Sequence, residues 1–456
     1  MDGGAMVESK QSPLPDDALL AVLAFLSPAE LLRCRLVCRR FRDLCLHPDL
    51  WRSVWLSDAG LLRAVLRLAP CLGSMFLKDM FFRPTLQAVA PLVPSITCAV
   101  ASVTFMIQQQ ESVTLVIDLI RKLSALGGLR VVQLDTLSEV HFPPAFFELI
   151  YGLKDLCELE LRMQCSPPLS DALLSTQAVK PSLTKLIYGY SADYFVQLLL
   201  RTHAATLENV CLMTGGQLPS ALRTIVAPNL QSLTCHLNSD LAYSEALSHV
   251  HKLKLIAFGE YPFPPEALDF LRQSAQLRSV KLTFVKALPS PADPLFALAA
   301  SPSAPSLESL SLLCASDSLR AMAGVLARFP SLQTLTISIL QSITYMSADA
   351  KLCDDFMRAV SPESAPRLTS LTLPPVKGCI HSWLHGPAVQ DLLARNPGLH
   401  LRADCDAMEF PAPHCDCHWC RWGCHQELKT AAGLRRCSFA AHFKEVGCPK
   451  GCVKWL

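Results

Sequence analysis

A Leu or Val followed at plus three and plus five by further apolar residues recurs twelve times along this 456-residue chain, and no other feature constrains the fold as much. The copies are LGSMFL from Leu72, VASVTF from Val100, LRVVQL from Leu129, LCELEL from Leu156, LTKLIY from Leu183 and LENVCL from Leu207. They continue as LQSLTC from Leu230, LKLIAF from Leu253, LRSVKL from Leu277, LESLSL from Leu307, LQTLTI from Leu332 and LTSLTL from Leu368. Successive starts lie 28, 29, 27, 27, 24, 23, 23, 24, 30, 25 and 36 residues apart. With 51% of the chain hydrophobic, one such match carries little weight, and the regular spacing carries the reading. Plus three and plus five share the parity of a strand face. The intervening segments often turn helical, as in VTLVIDLIRKLSAL from Val113, EALDFLRQ from Glu266 and DSLRAMAGVLARF from Asp317. Pro181, Pro228, Pro305, Pro330 and Pro366 stand two residues before anchors, as Pro397 does before Leu399. Proline cannot continue a helix, so it ends one segment just before the next strand. The unit is strand, turn, helix, turn.

This unit resembles the leucine-rich repeat, whose usual length range holds most of these spacings. The resemblance implies an α/β solenoid, a horseshoe with a parallel inner sheet and outer helices. The Asn or Cys that usually follows the short strand is largely missing, so the repeats are degenerate. The copy beginning at Leu399 is expected to break down, with Arg402 and Asp404 where apolar residues belong. If the anchors point into the core, residues at plus two, plus four and plus six face the inner curve. These include Phe76, Lys78, Thr104, Met106, Gln133 and Asp135, then Glu158, Glu160 and Arg162. Later copies supply Lys281, Thr283, Ser309, Ser311, Thr334, Thr336, Ser338, Ser370 and Thr372, so the face passes from mixed charge to small hydroxyls. Serine and threonine simply suit solvated strand positions. Phe76, Met106, Asp135, Glu158, Glu160, Arg162, Lys281 and Thr283 are the expected client-binding residues, with Glu158 and Glu160 as a carboxylate pair for a basic element.

Residues 14 to 51, LPDDALLAVLAFLSPAELLRCRLVCRRFRDLCLHPDLW, hold a different pattern. Leu19, Leu20, Val22, Leu23 and Leu26 recur at three-and-four spacing, which sets them along one side of a helix after Leu14, Pro15 and Asp16. Ser27, Pro28 and Glu30 form a capping-box start for a second helix carrying Leu31 and Leu32. A third segment carries Leu36, Val37, Phe41 and Leu44 among arginines. Three helices of this length offer more apolar positions than they can bury against one another, so part of that surface is expected to face a partner or the next domain.

The block resembles the F-box through Leu14-Pro15, the leucines from Leu19 to Leu26, Leu31-Leu32, Val37-Cys38-Arg39 with Phe41, and Leu50-Trp51. A core alone would not dictate those pairs in that order. The resemblance implies docking on the Skp-type adaptor of a cullin RING ubiquitin ligase, with the cullin and RING subunits as further partners. The adaptor contacts would be Leu14, Pro15, Leu19, Leu20, Leu23, Leu26, Leu31, Leu32, Val37, Cys38, Phe41 and Trp51, with Trp51 and Trp55 joining the module to the repeats. The expected organisation is a flexible N-terminus over 1–13, an F-box over 14–56, repeats over 57–403 and a Cys/His-rich capping tail over 404–456.

A net charge of +2 gives no global field toward nucleic acid or an anionic membrane. The opening MDGGAMVESKQSP lacks the apolar core of a signal peptide, and no apolar run approaches a membrane span, so the expectation is a soluble protein of cytoplasm or nucleus. Of 20 cysteines, twelve lie scattered before residue 400 and read as small buried hydrophobes in a reducing compartment. The other eight fall between Cys405 and Cys452. There Cys415, Cys417, Cys420, Cys424 and His425 offer thiolates and an imidazole at the spacing a tetrahedral zinc site uses, though the fourth ligand of a zinc knuckle is replaced by Thr430. No cofactor is required, and zinc in this tail is the one the sequence leaves open. No phosphate-cradling Gly-rich loop, zinc-protease helix or serine elbow occurs, so no intrinsic catalysis is expected. The expected role is the substrate-recognition subunit of a Skp-cullin-F-box ligase, holding a client on the repeat arc. The alternatives are a repeat scaffold outside any ligase and a zinc-tailed nucleic-acid binder.

Overall fold

The computed structural model describes residues 14–80, 84–164, 179–189, 194–213, 219–243, 247, 249–257, 263–284, 292–314, 318–339, 350–374, 383, 385–406 and 436–441. The chain forms two compact units, Met1–Tyr190 and Ser191–Leu456, a division inside the stretch expected as one array.

The first unit opens with three short helices, α1 (Asp16–Leu23), α2 (Pro28–Cys34) and α3 (Arg39–Leu44). The third begins later than its apolar pattern suggested, because Leu36 and Val37 occupy the turn and Cys38 is the N-cap. A parallel sheet follows: β1 (Trp55–Leu56), β2 (Cys71–Lys78), β3 (Ala99–Ile107), β4 (Val131–Thr136), β5 (Glu158–Arg162) and β6 (Lys185–Tyr188), each paired with the next. The connections carry α4 (Ala59–Leu68), α5 (Thr85–Val89), α6 (Ser112–Leu126) and α7 (Pro144–Tyr151). Helix α6 buries Val113, Val116, Ile117, Ile120 and Leu123 and ends at Gly127 and Gly128, both at positive φ (78° and 84°), where side-chain-bearing residues are strained.

The second unit repeats the scheme. Strands β7 (Asn209–Leu212), β8 (Ser232–His236), β9 (Lys252–Ala257), β10 (Ser279–Phe284), β11 (Ser309–Cys314), β12 (Thr334–Ile339), β13 (Ser370–Leu373) and β14 (His400–Asp406) are parallel and in chain order. Strand β15 (Arg436–Ala441) then adds antiparallel to β14. Its helices include α8 (Tyr194–His203), α9 (Ala221–Thr224), α10 (Pro265–Gln273), α11 (Ala292–Ala299), α12 (Ser318–Val325), α13 (Ala350–Ala359) and α14 (Pro387–Arg395).

The anchors stack in register. Met75, Val103, Val132, Leu159 and Leu186 lie side by side, as do Leu77, Phe105, Leu134, Leu161 and Tyr188, all buried. Where successive strands begin, the N–H groups of two consecutive residues donate to the one carbonyl that immediately precedes the previous strand. Cys157 and Glu158 donate to Arg130, and Arg278 and Ser279 donate to His251. Side chains other than the usual Asn stitch the loops after the strands. Buried Asp79 accepts the N–H of Gln108 at 2.7 Å and of Gln109 at 3.0 Å, and Thr136 Oγ1 accepts that of Gln164 at 3.1 Å.

Two copies stand in a register other than the expected one. Leu253 pairs with Leu233 and Val280, both plus-three anchors, so the first anchor of this copy is buried Val250 and its motif is VHKLKL. The pattern from Leu253 misled because Ile256 and Phe258 also satisfy it. The copy from Leu399 does not break down. Leu401 pairs with Leu371 and Ala403 with Leu373, both buried, which moves Arg402 to the open face. One residue fewer between first and second anchors restores the strand parity.

Cys34, Cys38, Cys45, Cys71, Cys98, Cys157, Cys211, Cys235 and Cys353 are reduced thiols; of these Cys45, Cys98, Cys235 and Cys353 are buried as expected, Cys38 is exposed and the rest are half-buried. Burial pushes the Cys98 thiol up to about 12 and the Cys235 thiol further still. Among the described residues no helix is long and apolar enough to cross a membrane.

Candidate docking site

The three N-terminal helices are fixed by local polar contacts that leave apolar side chains outside. Ser27 caps α2: Glu30 Oε2 accepts the Ser27 hydroxyl at 2.7 Å and its N–H at 2.8 Å, while the Glu30 N–H donates to Ser27 Oγ at 3.4 Å. The hydroxyl and then the N–H of Ser27 hold the Glu30 carboxyl below its ordinary range. Cys38 caps α3, its Sγ accepting the Phe41 N–H at 3.5 Å. Arg40 ties α3 back to the start of α1, donating to Asp16 through Nε at 2.8 Å and also to the Leu14 carbonyl.

The expected adaptor contacts divide by depth. Leu14, Pro15, Val37 and Cys38 are exposed, and Leu19, Leu20, Leu26, Leu32 and Phe41 are half-buried. Leu23, Leu31 and Trp51 are inside, so they build the module and do not present a surface. Trp51 is 0% exposed and its indole Nε1 donates to the Cys45 carbonyl at 2.8 Å. It also joins the module to the sheet, because its carbonyl accepts the Gly73 N–H at 2.9 Å and that of Val54 accepts Ser74 at 2.9 Å. Glycine is required at 73, where a Cβ would lie 2.4 Å from the Arg52 carbonyl oxygen. Trp55 does not share this buried role. It is exposed and stacks on Phe76 with centroids 6.5 Å apart.

Sequence reasoning missed the most exposed apolar residue of the module. Phe25 is 91% exposed, with Leu36 at 83%, Val37 at 69% and Val22 at 59%. Phe25 falls outside the spacing that carries Leu19, Leu23 and Leu26, and that mismatch was the available signal. These residues and Leu14 are apolar side chains that the module leaves in solvent.

The open face of the first unit carries the expected residues at half-buried strand positions, with Arg162 exposed. Cross-strand register aligns Phe76, Thr104, Gln133 and Glu160, and beside them Lys78, Met106, Asp135 and Arg162. Glu158 and Glu160 are not a free acidic pair. Lys185 Nζ meets Glu158 at 2.9 Å and Arg162 meets Glu160 at 2.7 Å, so each carboxylate already has its cation. In the second unit Lys281 is exposed, Thr283 is half-buried with its hydroxyl oxygen enclosed, and Thr372 is buried. Cys415, Cys417, Cys420, Cys424 and His425 lie outside the described residues.

Residues 12–57 match the F-box-like family, a span that covers the three helices, Trp51 and β1. No curated protein matches the chain. An F-box-like module is typically a non-catalytic adaptor unit, and it implies binding to a Skp-type adaptor and a role in ubiquitin ligase complexes.

Proposed function

We propose that this chain is the substrate-recognition subunit of a Skp-cullin-F-box ubiquitin ligase, with leucine-rich repeats as its client-holding part. The F-box match together with the outward-facing Phe25, Leu36 and Val37 carries the reading. These apolar groups would enter the adaptor interface, where removing them from water supplies roughly 25 cal/mol per Å² of buried apolar surface. The in-register anchors and the shared strand-start carbonyls support the leucine-rich-repeat assignment. Transfer of ubiquitin would belong to the RING subunit and its conjugating enzyme. This chain would contribute proximity, raising the effective concentration of a client lysine near the activated thioester.

The test is co-purification of adaptor and cullin with the tagged full chain from cells, comparing wild type with Phe25→Asp/Val37→Asp. Both positions are exposed, so the variant keeps its fold. Adaptor and cullin recovered with wild type and lost with the variant support the reading. Their absence from a folded wild-type preparation overturns it.

A further inference from the structure

Helix α6 carries a second stripe on the side that its buried residues leave open. Leu115, Asp118, Lys122 and Ala125 recur at three-and-four spacing and so share one side of the helix. That side meets the short 3-10 helix Ala90–Ser95, which follows α5, and an open groove of about 520 Å³ lies between them. Its apolar lining is Ala90, Val93, Pro94, Leu115 and Ala125. From Leu115 to Ala125 the stripe runs about 15 Å at the helical rise, almost three turns of a second helix laid along it.

The charge around the groove is one-sided. Asp118, the carboxylate in its lining, is already paired with Arg121 at 2.9 Å. Lys122 Nζ donates to the Pro94 carbonyl at 3.3 Å, and Arg67 of α4 donates from Nε to the Ser95 hydroxyl at 3.4 Å. Two cations from different helices therefore converge on the Pro94–Ser95 end. Arg63, one turn earlier on α4, donates from Nε to the Ala88 carbonyl at 3.2 Å. All three are bonded to neutral acceptors, and among the described residues none of them has a carboxylate partner.

We infer that this groove is a second docking site, on the helix side of the first unit, for an amphipathic helix of a partner protein whose apolar stripe is flanked by Asp or Glu. The apolar lining takes the stripe. The flanking carboxylates meet Lys122 and the Nη groups of Arg67, which its one hydrogen bond leaves open. A helix suits the groove because it satisfies its own backbone, whereas an extended segment needs backbone partners, and here the Pro94 carbonyl is already taken by Lys122. Ala90 and Ala125 are small, so a second helix axis can come close. The lining holds no Phe, Tyr or Trp on which the bases of single-stranded nucleic acid would stack. The inference rests neither on adaptor docking nor on the sheet being the client side.

Fluorescence anisotropy of the full chain tests it with three labelled peptides: a helix-forming one with Leu at three-and-four spacing and Glu on both flanks, its Gln counterpart, and the Glu peptide with a central Pro. Sedimentation with vesicles of phosphatidylcholine and phosphatidylserine tests a lipid surface in place of a protein. The Glu peptide is expected to bind best, more weakly as salt rises, and about tenfold more weakly to Arg67→Gln/Lys122→Gln, the sum of two charge contacts. Ala125 is exposed, so Ala125→Trp fills the groove from outside and should abolish binding. Both variants should keep wild-type amide exchange over residues 112–126 and full adaptor recovery. No binding of the Glu peptide to wild type overturns the inference, as do equal binding of the Glu and Gln peptides and unchanged affinity in either variant. Equal binding of the Pro-containing peptide overturns the helical occupant. Vesicle binding that is lost in Arg67→Gln/Lys122→Gln overturns the choice of a protein. None of these results touches adaptor docking, which is read separately from adaptor recovery.

Discussion

Replacing Trp51 separates a structural role from a contact role. The side chain is fully enclosed, and its indole N–H is bonded to the Cys45 carbonyl at 2.8 Å. Truncating such a tryptophan to alanine costs about 3–5 kcal/mol through lost burial and the cavity left behind. Trp51→Phe keeps most of the apolar volume but orphans the buried Cys45 carbonyl, at about 1–3 kcal/mol. A single unfolding midpoint is a poor readout for a chain of two units, so the assay is amide exchange resolved by segment. Exchange over residues 39–56 and 71–78 should accelerate more than a hundredfold in Trp51→Ala, given that each 1.4 kcal/mol is about tenfold, and by less in Trp51→Phe. Segments in the second unit serve as the internal control. If Trp51→Ala leaves exchange unchanged and still abolishes adaptor binding, Trp51 is a contact residue and its assignment to the core is wrong.

Other outcomes follow from the same geometry. Gly73→Ala forces a Cβ against the Arg52 carbonyl and should destabilise the junction by about 1–3 kcal/mol, read as faster exchange over 71–78; unchanged protection there contradicts the close approach. Burial lowers the pKa of His203 to about 4 from 6.5, so the neutral ring's contribution is complete above pH 6.5 and is lost as pH falls through about 4. His203→Gln should therefore flatten the fall in stability of the second unit between those values, and an identical acid limb would dismiss the assignment. Iodoacetamide at neutral pH should label Cys38 well before Cys98, whose thiol titrates near 12, and mass spectrometry of the alkylated protein reads the order directly.

What the sequence made legible was local or periodic. The Ser27–Glu30 capping box spans one helical turn, and helices α6, α10 and α12 follow continuous apolar patterns, so both could be read without tertiary information. Strand anchors were readable because burial on one face imposes a period of two. Register failed where the chain offered two overlapping patterns, at Val250 against Leu253, and where one residue was dropped before Leu401. Ion pairs between strands, such as Glu158 with Lys185, join matching positions of correctly placed copies, but they depend on side-chain conformations that the motif does not specify. The F-box block showed its motif but not its depth. Trp51 and Leu31 are motif positions used for packing, and Phe25 is a non-motif position left in solvent.

The most direct measurement is titration of a purified Skp-type adaptor into the purified full chain by calorimetry. Wild type should form an equimolar complex with the negative heat-capacity change of apolar burial. Phe25→Asp/Val37→Asp, matching wild type in amide exchange across the three helices, should give no binding heat. No complex with folded wild type, or the same affinity in the variant, would contradict adaptor docking through this exposed surface.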